Sequence, residues 1–84
     1  MIKGILIATA ILGGNVVEEK TKEKMFDSMD ECIVFIADGV EDMKNRGVKI
    51  KTYNEDTTKN KHTVEATGKF LFFKLTAIAT CEKG

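Results

Sequence analysis

The side chains that most often carry catalysis or bind metals are few in this 84-residue chain. The single histidine, His62, lies in a polar segment, and we expect its side chain to be exposed to solvent. A structural zinc site needs about four nitrogen or sulfur ligands, which one histidine and two distant cysteines do not supply. The carboxylates of Asp38, Glu41 and Asp42 cluster on a predicted helix but lack EF-hand spacing. No phosphate-binding glycine motif occurs, so the sequence predicts no catalytic residues, no metal site and no cofactor.

The two cysteines, Cys32 and Cys81, have a clearer chemical meaning. Cys32 borders the apolar stripe of the predicted helix, and Cys81 lies on the strand positions expected to face that helix. Both side chains therefore belong to one core, either as a disulfide or as two small buried thiols. A disulfide implies an oxidising compartment such as a periplasm or the cell exterior, whereas free thiols imply the cytosol. We expect the disulfide and favour an exported protein slightly over a cytoplasmic one.

The segment from Ser28 to Arg46 carries the signals of one helix at both of its ends. Ser28 and Glu31 have the spacing of a capping box, and Gly47 is the residue type that commonly follows a helix. Between these ends, apolar residues recur at intervals of three and four positions and form a stripe that must pack on another element: Met29, Ile33, Ile36, Val40 and Met43.

The second half of the chain alternates between apolar and polar residues, as strands do. The segment 48–53 is predicted as a half-buried strand, and the polar segment 54–61 as a hairpin loop. Apolar residues within 64–66 indicate a further short strand, which Gly68 ends or interrupts. Residues 70–81 are predicted as one long strand, whose odd-numbered positions are apolar and face the helix.

Residues 1–14 permit two interpretations. They combine one cation, Lys3, with an apolar run over 5–12, as a secretory signal does, although the A-x-A pattern lies inside that run. The alternative is a strand that is apolar on both faces, with the Gly-Gly-Asn segment at 13–15 as the turn into the next strand. A transmembrane helix needs about 20 apolar residues, so we expect no membrane span.

These segments predict a single α+β domain over residues 1–84. Its sheet is mainly antiparallel with three to five strands, and the helix over about 28–46 packs on one face. The expected order is ββαββ with an optional fifth strand. If residues 1–14 are removed as a signal, the expected order becomes βαββ with an optional extra strand.

The start of the helix resembles that of a group of small proteins. The pattern Phe-x-Ser-Met-x-Glu-Cys over 26–32, with Cys81 near the chain end, is similar to small uncharacterised, often signal-bearing proteins of marine bacteria and their phages. The resemblance implies no activity that can be carried over. It adds weight to the disulfide, and it implies a phage or marine bacterial source.

The sheet side opposite the helix is the remaining candidate site. Lysines and large apolar side chains are expected to form an interaction surface there: Lys49, Lys51, Tyr53, Phe70, Phe72, Lys74 and Ile78. Because such apolar side chains are costly to leave together in water, we expect a second copy of the chain to cover them in a homodimer. Alternatively, the aromatic rings could stack on the bases of a single-stranded nucleic acid while the lysines contact its phosphates.

The charge composition of the chain helps to order the possible classes of function. Charged residues make up 31% of the chain, yet the formal net charge is zero, which argues against a basic nucleic-acid arm or a polybasic membrane peptide. The first hypothesis is a non-catalytic interaction or structural protein that binds itself or an unknown protein. The alternative is a module that binds single-stranded nucleic acid, and an enzyme ranks third.

Overall fold

The computed structural model describes residues 1–83, which form one five-stranded antiparallel sheet with a single helix on one of its faces. In chain order, the elements are β1 (Ile2–Leu12), β2 (Asn15–Phe26), α1 (Met29–Asn45), β3 (Lys49–Thr57), β4 (Lys61–Phe70) and β5 (Phe73–Lys83). The strands lie side by side in the order β2-β1-β5-β4-β3. The α+β class is confirmed. The predicted order ββαββ is wrong, because the chain order is ββαβββ.

The additional strand is β4, whose middle contains the short apolar segment 64–66 and which runs from Lys61 to Phe70. The predicted strand over 70–81 corresponds to β5, but its first residues belong to the end of β4 and to the turn that follows. β4 ends at Phe70 and β5 begins at Phe73, with Leu71 and Phe72 at the turn. Leu71 has a φ of 55°, in the left-handed region that glycine or asparagine usually occupies. The sequence does not predict this turn, because all four residues from 70 to 73 are apolar and none of them is a turn-forming type.

The polar segment 54–61 is mostly strand, so the loop predicted there is wrong. β3 continues to Thr57, β4 begins at Lys61, and Thr58 donates its N–H to the Lys61 carbonyl across the short turn, at 2.7 Å. All side chains from 51 to 57 are exposed because β3 is an edge strand. No apolar alternation marks such a strand in the sequence.

The N-terminal segment forms strand β1, which lies between β2 and β5 and pairs with both. Gly13 and Gly14 form the turn into β2, with φ values of 59° and 83° that suit glycine. Ile2 is buried and Leu6 half-buried on the helix side of β1, whereas alternate residues point to the other side of the sheet. In the structure, residues 2–12 have the strand conformation that one of the two interpretations expects.

Helix α1 begins and ends where its flanking residues predict. The Ser28 hydroxyl accepts a hydrogen bond from the Glu31 N–H at 3.2 Å, which satisfies one of the free donors of the first turn. After the last turn, Gly47 adopts a φ of 96°, the left-handed conformation typical of a residue that follows a helix. The predicted helix over about 28–46 is confirmed, with Met29–Asn45 as its helical residues.

The core is held together where α1 crosses the sheet. Cys32 of α1 and Cys81 of β5 are fully buried and bonded to each other, with their Cα atoms 6.1 Å apart. Gly4 of β1 lies against them: a Cβ at this position would come within 2.8 Å of the Phe26 ring and 3.0 Å of the Cys32 sulfur. Only glycine fits there. Apolar side chains complete the cluster: Ile2, Phe26, Ile36, Val64 and Ala79.

Replacing both cysteines with alanine is expected to destabilise the fold strongly. The bond joins residues 49 positions apart, and closing a loop of about that length contributes roughly 4 kcal/mol in the chain-entropy model. The Cys32→Ala/Cys81→Ala variant should therefore melt more than about 10 °C below the oxidised protein, at the usual scaling of about 4 to 8 °C per kcal/mol. Circular dichroism melts of the variant and of the oxidised and reduced native chain measure this. Equal melting temperatures for all three would contradict it.

Candidate interaction surface

The sheet has one side against α1 and an opposite side, named here the outward face, which no element of residues 1–83 covers. Strand alternation places four isoleucines on this face: Ile5, Ile7 and Ile11 of β1, and Ile78 of β5. Ile7 and Ile78 are direct cross-strand partners. The side chain of Ile78 is 40% exposed, and the three isoleucines of β1 are half-buried. Together they form an apolar isoleucine strip in the middle of the sheet.

A threonine row crosses the outward face and passes through the isoleucine strip, where Thr9 lies between Ile7 and Ile11. It consists of Thr9, Thr76, Thr67 and Thr52, each paired with the next across β1, β5, β4 and β3. The hydroxyls of Thr52 and Thr67 are hydrogen-bonded to each other. Since neighbouring strands lie about 4.8 Å apart, the row offers hydroxyl groups at regular intervals along a line perpendicular to the strands. Such groups can donate to and accept from a partner laid on the sheet.

A lysine row lies beyond the threonine row, toward the β4–β5 turn. Lys49 pairs with Lys69 across β3 and β4, and Lys69 pairs with Lys74 across β4 and β5. Like charges directly opposite each other destabilise a sheet. Within residues 1–83, no ion pair involves any of these three ammonium groups. The row therefore carries a repulsion that an external anionic group would relieve.

A recess adjoins the lysine row at the tip of the hairpin. β3 has a bulge between Ile50 and Thr52, where Lys51 is unpaired. Lys51 and Phe72, together with residues of the two rows, line a recess of about 320 Å³. The Phe72 ring is 86% exposed. An exposed ring beside several ammonium groups can stack on a flat group while the lysines bind anions.

The predicted interaction-surface residues divide between the two sides of the sheet. Tyr53 pairs with buried Ala66, and the Phe70 ring lies 3.6 Å from where a Cβ of Gly47 would stand, so both belong to the helix side. The structure brings the others together on or beside the outward face: Lys49, Lys51, Phe72, Lys74 and Ile78. A stacking surface for bases there contains one aromatic ring rather than three.

Tyr53 is engaged on its own edge strand. Its hydroxyl donates a hydrogen bond to the Glu55 carboxylate at 3.3 Å. Partial burial raises the pKa of the phenol above its ordinary value of 10.0, and the negative charge of Glu55 and the hydrogen bond to it act in the same direction. Tyr53 is thus a neutral phenol paired within β3.

Lys69 is a member of the surface that the sequence pattern does not single out. It directly follows Gly68, in a segment predicted as a turn or bulge. In the structure, Gly68 is a strand residue, where a Cβ would lie 2.7 Å from the Lys49 carbonyl oxygen. The close approach of β3 requires this glycine. Lys69 could have been found from the alternation of β4, whose odd-numbered residues Thr63, Glu65 and Thr67 also point outward.

His62 is buried, at 2% exposure, so the expectation of an exposed side chain is wrong. Its position on β4 points inward and pairs with Cys81. Nδ1 is hydrogen-bonded to the Thr57 hydroxyl at 2.7 Å, and Nε2 lies 3.6 Å from the Glu55 carboxylate. A hydroxyl, an imidazole and a carboxylate are the components of nucleophilic catalysis, but 3.6 Å is too long for a hydrogen bond. The imidazole is a hydrogen-bonded polar group of the core.

Residues 1–83 contain neither a membrane-spanning helix nor a cluster of metal ligands. The one helix they contain is neither long nor apolar enough to cross a membrane. Three or more His, Cys, Asp or Glu side chains are nowhere in this range close enough together to hold a metal ion.

No protein-family model, curated protein or solved structure matches the chain.

Removing the central charge of the lysine row is expected to stabilise the fold. Lys69→Gln relieves two like-charge contacts, so the free energy of unfolding should rise by about 0.2 to 1 kcal/mol at low ionic strength. The gain should shrink in about 1 M salt, where the Debye length is about 3 Å.

Urea unfolding at both salt concentrations measures this change. The matched control is Lys61→Gln on the same strand, whose lysine is paired with Glu82 at 3.8 Å and whose loss should bring no gain. A Lys69→Gln variant less stable than the native chain at low salt would contradict the proposed repulsion.

Proposed function

We propose that the protein is a non-catalytic binding protein whose outward face packs against a second copy of itself. The observation that carries the proposal is the composition of β1, which is apolar on both of its faces. Strands of this kind are usually buried from both sides. In the described chain α1 covers one side, and the isoleucine strip on the other side stays in contact with solvent.

The charges of the outward face favour a second copy as the partner. The lysine row lies at the end near the β4–β5 turn. The opposite end of the same face carries the Asp56 carboxylate, which forms no ion pair within residues 1–83, and two internal ion pairs, Glu82 with Lys61 and Glu23 with Lys3. A two-fold axis perpendicular to the strands and parallel to the sheets would place each lysine row over the end of the partner that carries the unpaired Asp56 carboxylate. Self-complementary charges are what an isologous interface requires.

The dimensions of the face are adequate for such a contact. Five strands at a spacing of about 4.8 Å, with about eight residues of about 3.3 Å each, present about 600 Å² per copy. A face-to-face dimer would then bury about 1,200 Å², the lower end of the range for specific interfaces. In this dimer the isoleucine strip would supply the apolar contacts at the centre of the interface, and the threonine row would supply hydrogen bonds.

The bond between Cys32 and Cys81 supports an exported location for this protein. Disulfides persist in oxidising compartments and are rare in the cytosol of most organisms. Small domains in the periplasm or outside the cell often rely on disulfides for stability. The small core around the bond between Cys32 and Cys81 fits a binding protein in such a compartment.

A second candidate function is binding of single-stranded nucleic acid. The unpaired lysine row, with Lys51 and the exposed Phe72 beside it, favours this candidate. The four ammonium groups would contact phosphates, and Phe72 would stack on one base. The isoleucine strip has no role in this candidate, which is why we place it second.

Sedimentation at tens of micromolar tests the homodimer. The native chain is expected to be a dimer, and Ile78→Lys should raise its dissociation constant at least about tenfold by placing a charge in the apolar centre. The matched control is Val34→Lys, because Val34 is an exposed valine of α1, at 57%. Its dimer should be unchanged, and circular dichroism should show both variants folded. A native chain that sediments as a monomer would contradict the proposal.

A titration of fluorescently labelled oligothymidylate tests the second candidate. With about four phosphate contacts, affinity should fall about 50-fold between about 50 and 200 mM salt, and Lys69→Gln should lessen that dependence. Lys61→Gln, outside the lysine row, should leave it unchanged. The homodimer proposal expects no such binding, and a monomer that ignores the oligonucleotide would contradict both candidates.

A further inference from the structure

A second recess lies on the opposite side of the sheet, under the C-terminal half of α1. Its volume is about 400 Å³, within the range of roughly 300 to 1,000 Å³ typical of small-molecule sites. Its floor consists of four alanines on three adjacent strands: Ala8, Ala66, Ala77 and Ala79. Since Ala8, Ala77 and Ala66 are consecutive cross-strand partners, three of these four form one line across the sheet.

The recess exists because small residues face each other across the layer between helix and sheet. Gly39 of α1 stands over the alanines, and nothing lies within 4 Å of where its Cβ would be. The N-terminal half of α1 is anchored by buried Cys32 and Ile36, whereas Val40 and Met43 are only half-buried. The helix is thus fixed to the sheet at one end and leaves an apolar gap at the other.

The gap is elongated. A neighbouring recess of about 340 Å³ shares Ala8 and Met43 with the first and continues toward Val48 and Leu75. The two adjoin at Ala8 and Met43 and together form an elongated groove, whose aliphatic lining gives way to the charged side chains of Glu18, Lys20 and Arg46 in the second recess. A groove of this form fits an extended aliphatic chain better than a compact ring system.

The rim of the groove on the β2 side is cationic. The Lys22 ammonium lines the recess and lies 5.5 Å from the centre of the Phe35 ring, and the Lys24 ammonium lies 5.7 Å from the same centre. Within residues 1–83, neither lysine forms an ion pair. On the helix side, Asp38 and Asp42 also border the groove, and Asp42 is paired with Arg46 at 3.0 Å.

We propose that this groove binds a long-chain carboxylic acid of the fatty-acid type. The aliphatic chain lies along the alanine floor, where it fills space that the side chains leave open. The carboxylate lies at the β2 rim, where the Lys22 ammonium neutralises it and Lys24 adds to the positive potential. The site is independent of the proposed homodimer, because it uses the other side of the sheet.

Titrating dodecanoate into ¹⁵N-labelled protein, below the micelle concentration of the acid, tests the site. We expect saturable amide shifts that centre on Ala66, Ala77 and Met43 and spare the outward face. Ala77→Leu should fill the groove, weaken binding at least about tenfold and raise the melting temperature, since filling a cavity stabilises a fold. The matched control is Ala37→Leu, an identical change at an exposed position of α1, which should alter neither quantity.

The head group is tested with Lys22→Gln. Loss of one partly exposed ion pair should weaken dodecanoate binding about two- to fivefold and leave dodecanol binding unchanged. Lys59→Gln, at an exposed position in the turn between β3 and β4, is its control. Absence of saturable shifts, or shifts confined to the outward face, would overturn the proposal. An unchanged affinity of Ala77→Leu for dodecanoate would also overturn it. If Ala77→Leu does not fold, Ala66→Val takes its place in this test.

Discussion

The structure depends first on the contact between Cys32 and Cys81, because it is the point at which the helix is joined to the sheet. The buried apolar residues are few, and several of them are alanines, so side-chain burial alone supplies little stability. A covalent crosslink adds to that stability by restricting the unfolded chain. The absence of a side chain at Gly4 follows from the same contact, because the Cys32 sulfur and the Phe26 ring occupy that space. One end of α1 is therefore firmly placed, and the other end is free to stand away from the sheet.

Local signals predicted the local structure well. Ser28, Glu31 and Gly47 set the helix ends because capping depends on residues within a few positions of each other. The turn at Leu71 could not be predicted, since its φ is imposed by the pairing of β4 with β5 rather than by a turn-forming residue. His62 was misplaced for a related reason: its burial follows from lying beside Cys81, and the surrounding polar segment gives no hint of it.

The candidate surface was predictable only in part. The parity of β5 placed Lys74 and Ile78 on the outward face. The lysine and threonine rows, however, result from the registers of four strands, one of which pairs with a strand far away along the chain. No short window of sequence contains that information. The edge strands β2 and β3 are exposed along almost their whole length and rich in charge, which discourages pairing through the edges and leaves the face of the sheet for association.

The pairing of β1 with β5 also has a consequence for how the chain folds. Ile2 lies opposite Lys83, so the middle of the sheet joins the two segments that are farthest apart in the chain. The hairpin of β1 with β2 and the meander of β3, β4 and β5 can each form from neighbouring residues, but neither completes the sheet alone. Folding rates fall as contacts become more distant in sequence. During synthesis on the ribosome, the apolar strand β1 therefore has no partner on its β5 side until β5 has emerged. An unpaired apolar strand edge favours aggregation, so this is the stage at which aggregation is most expected.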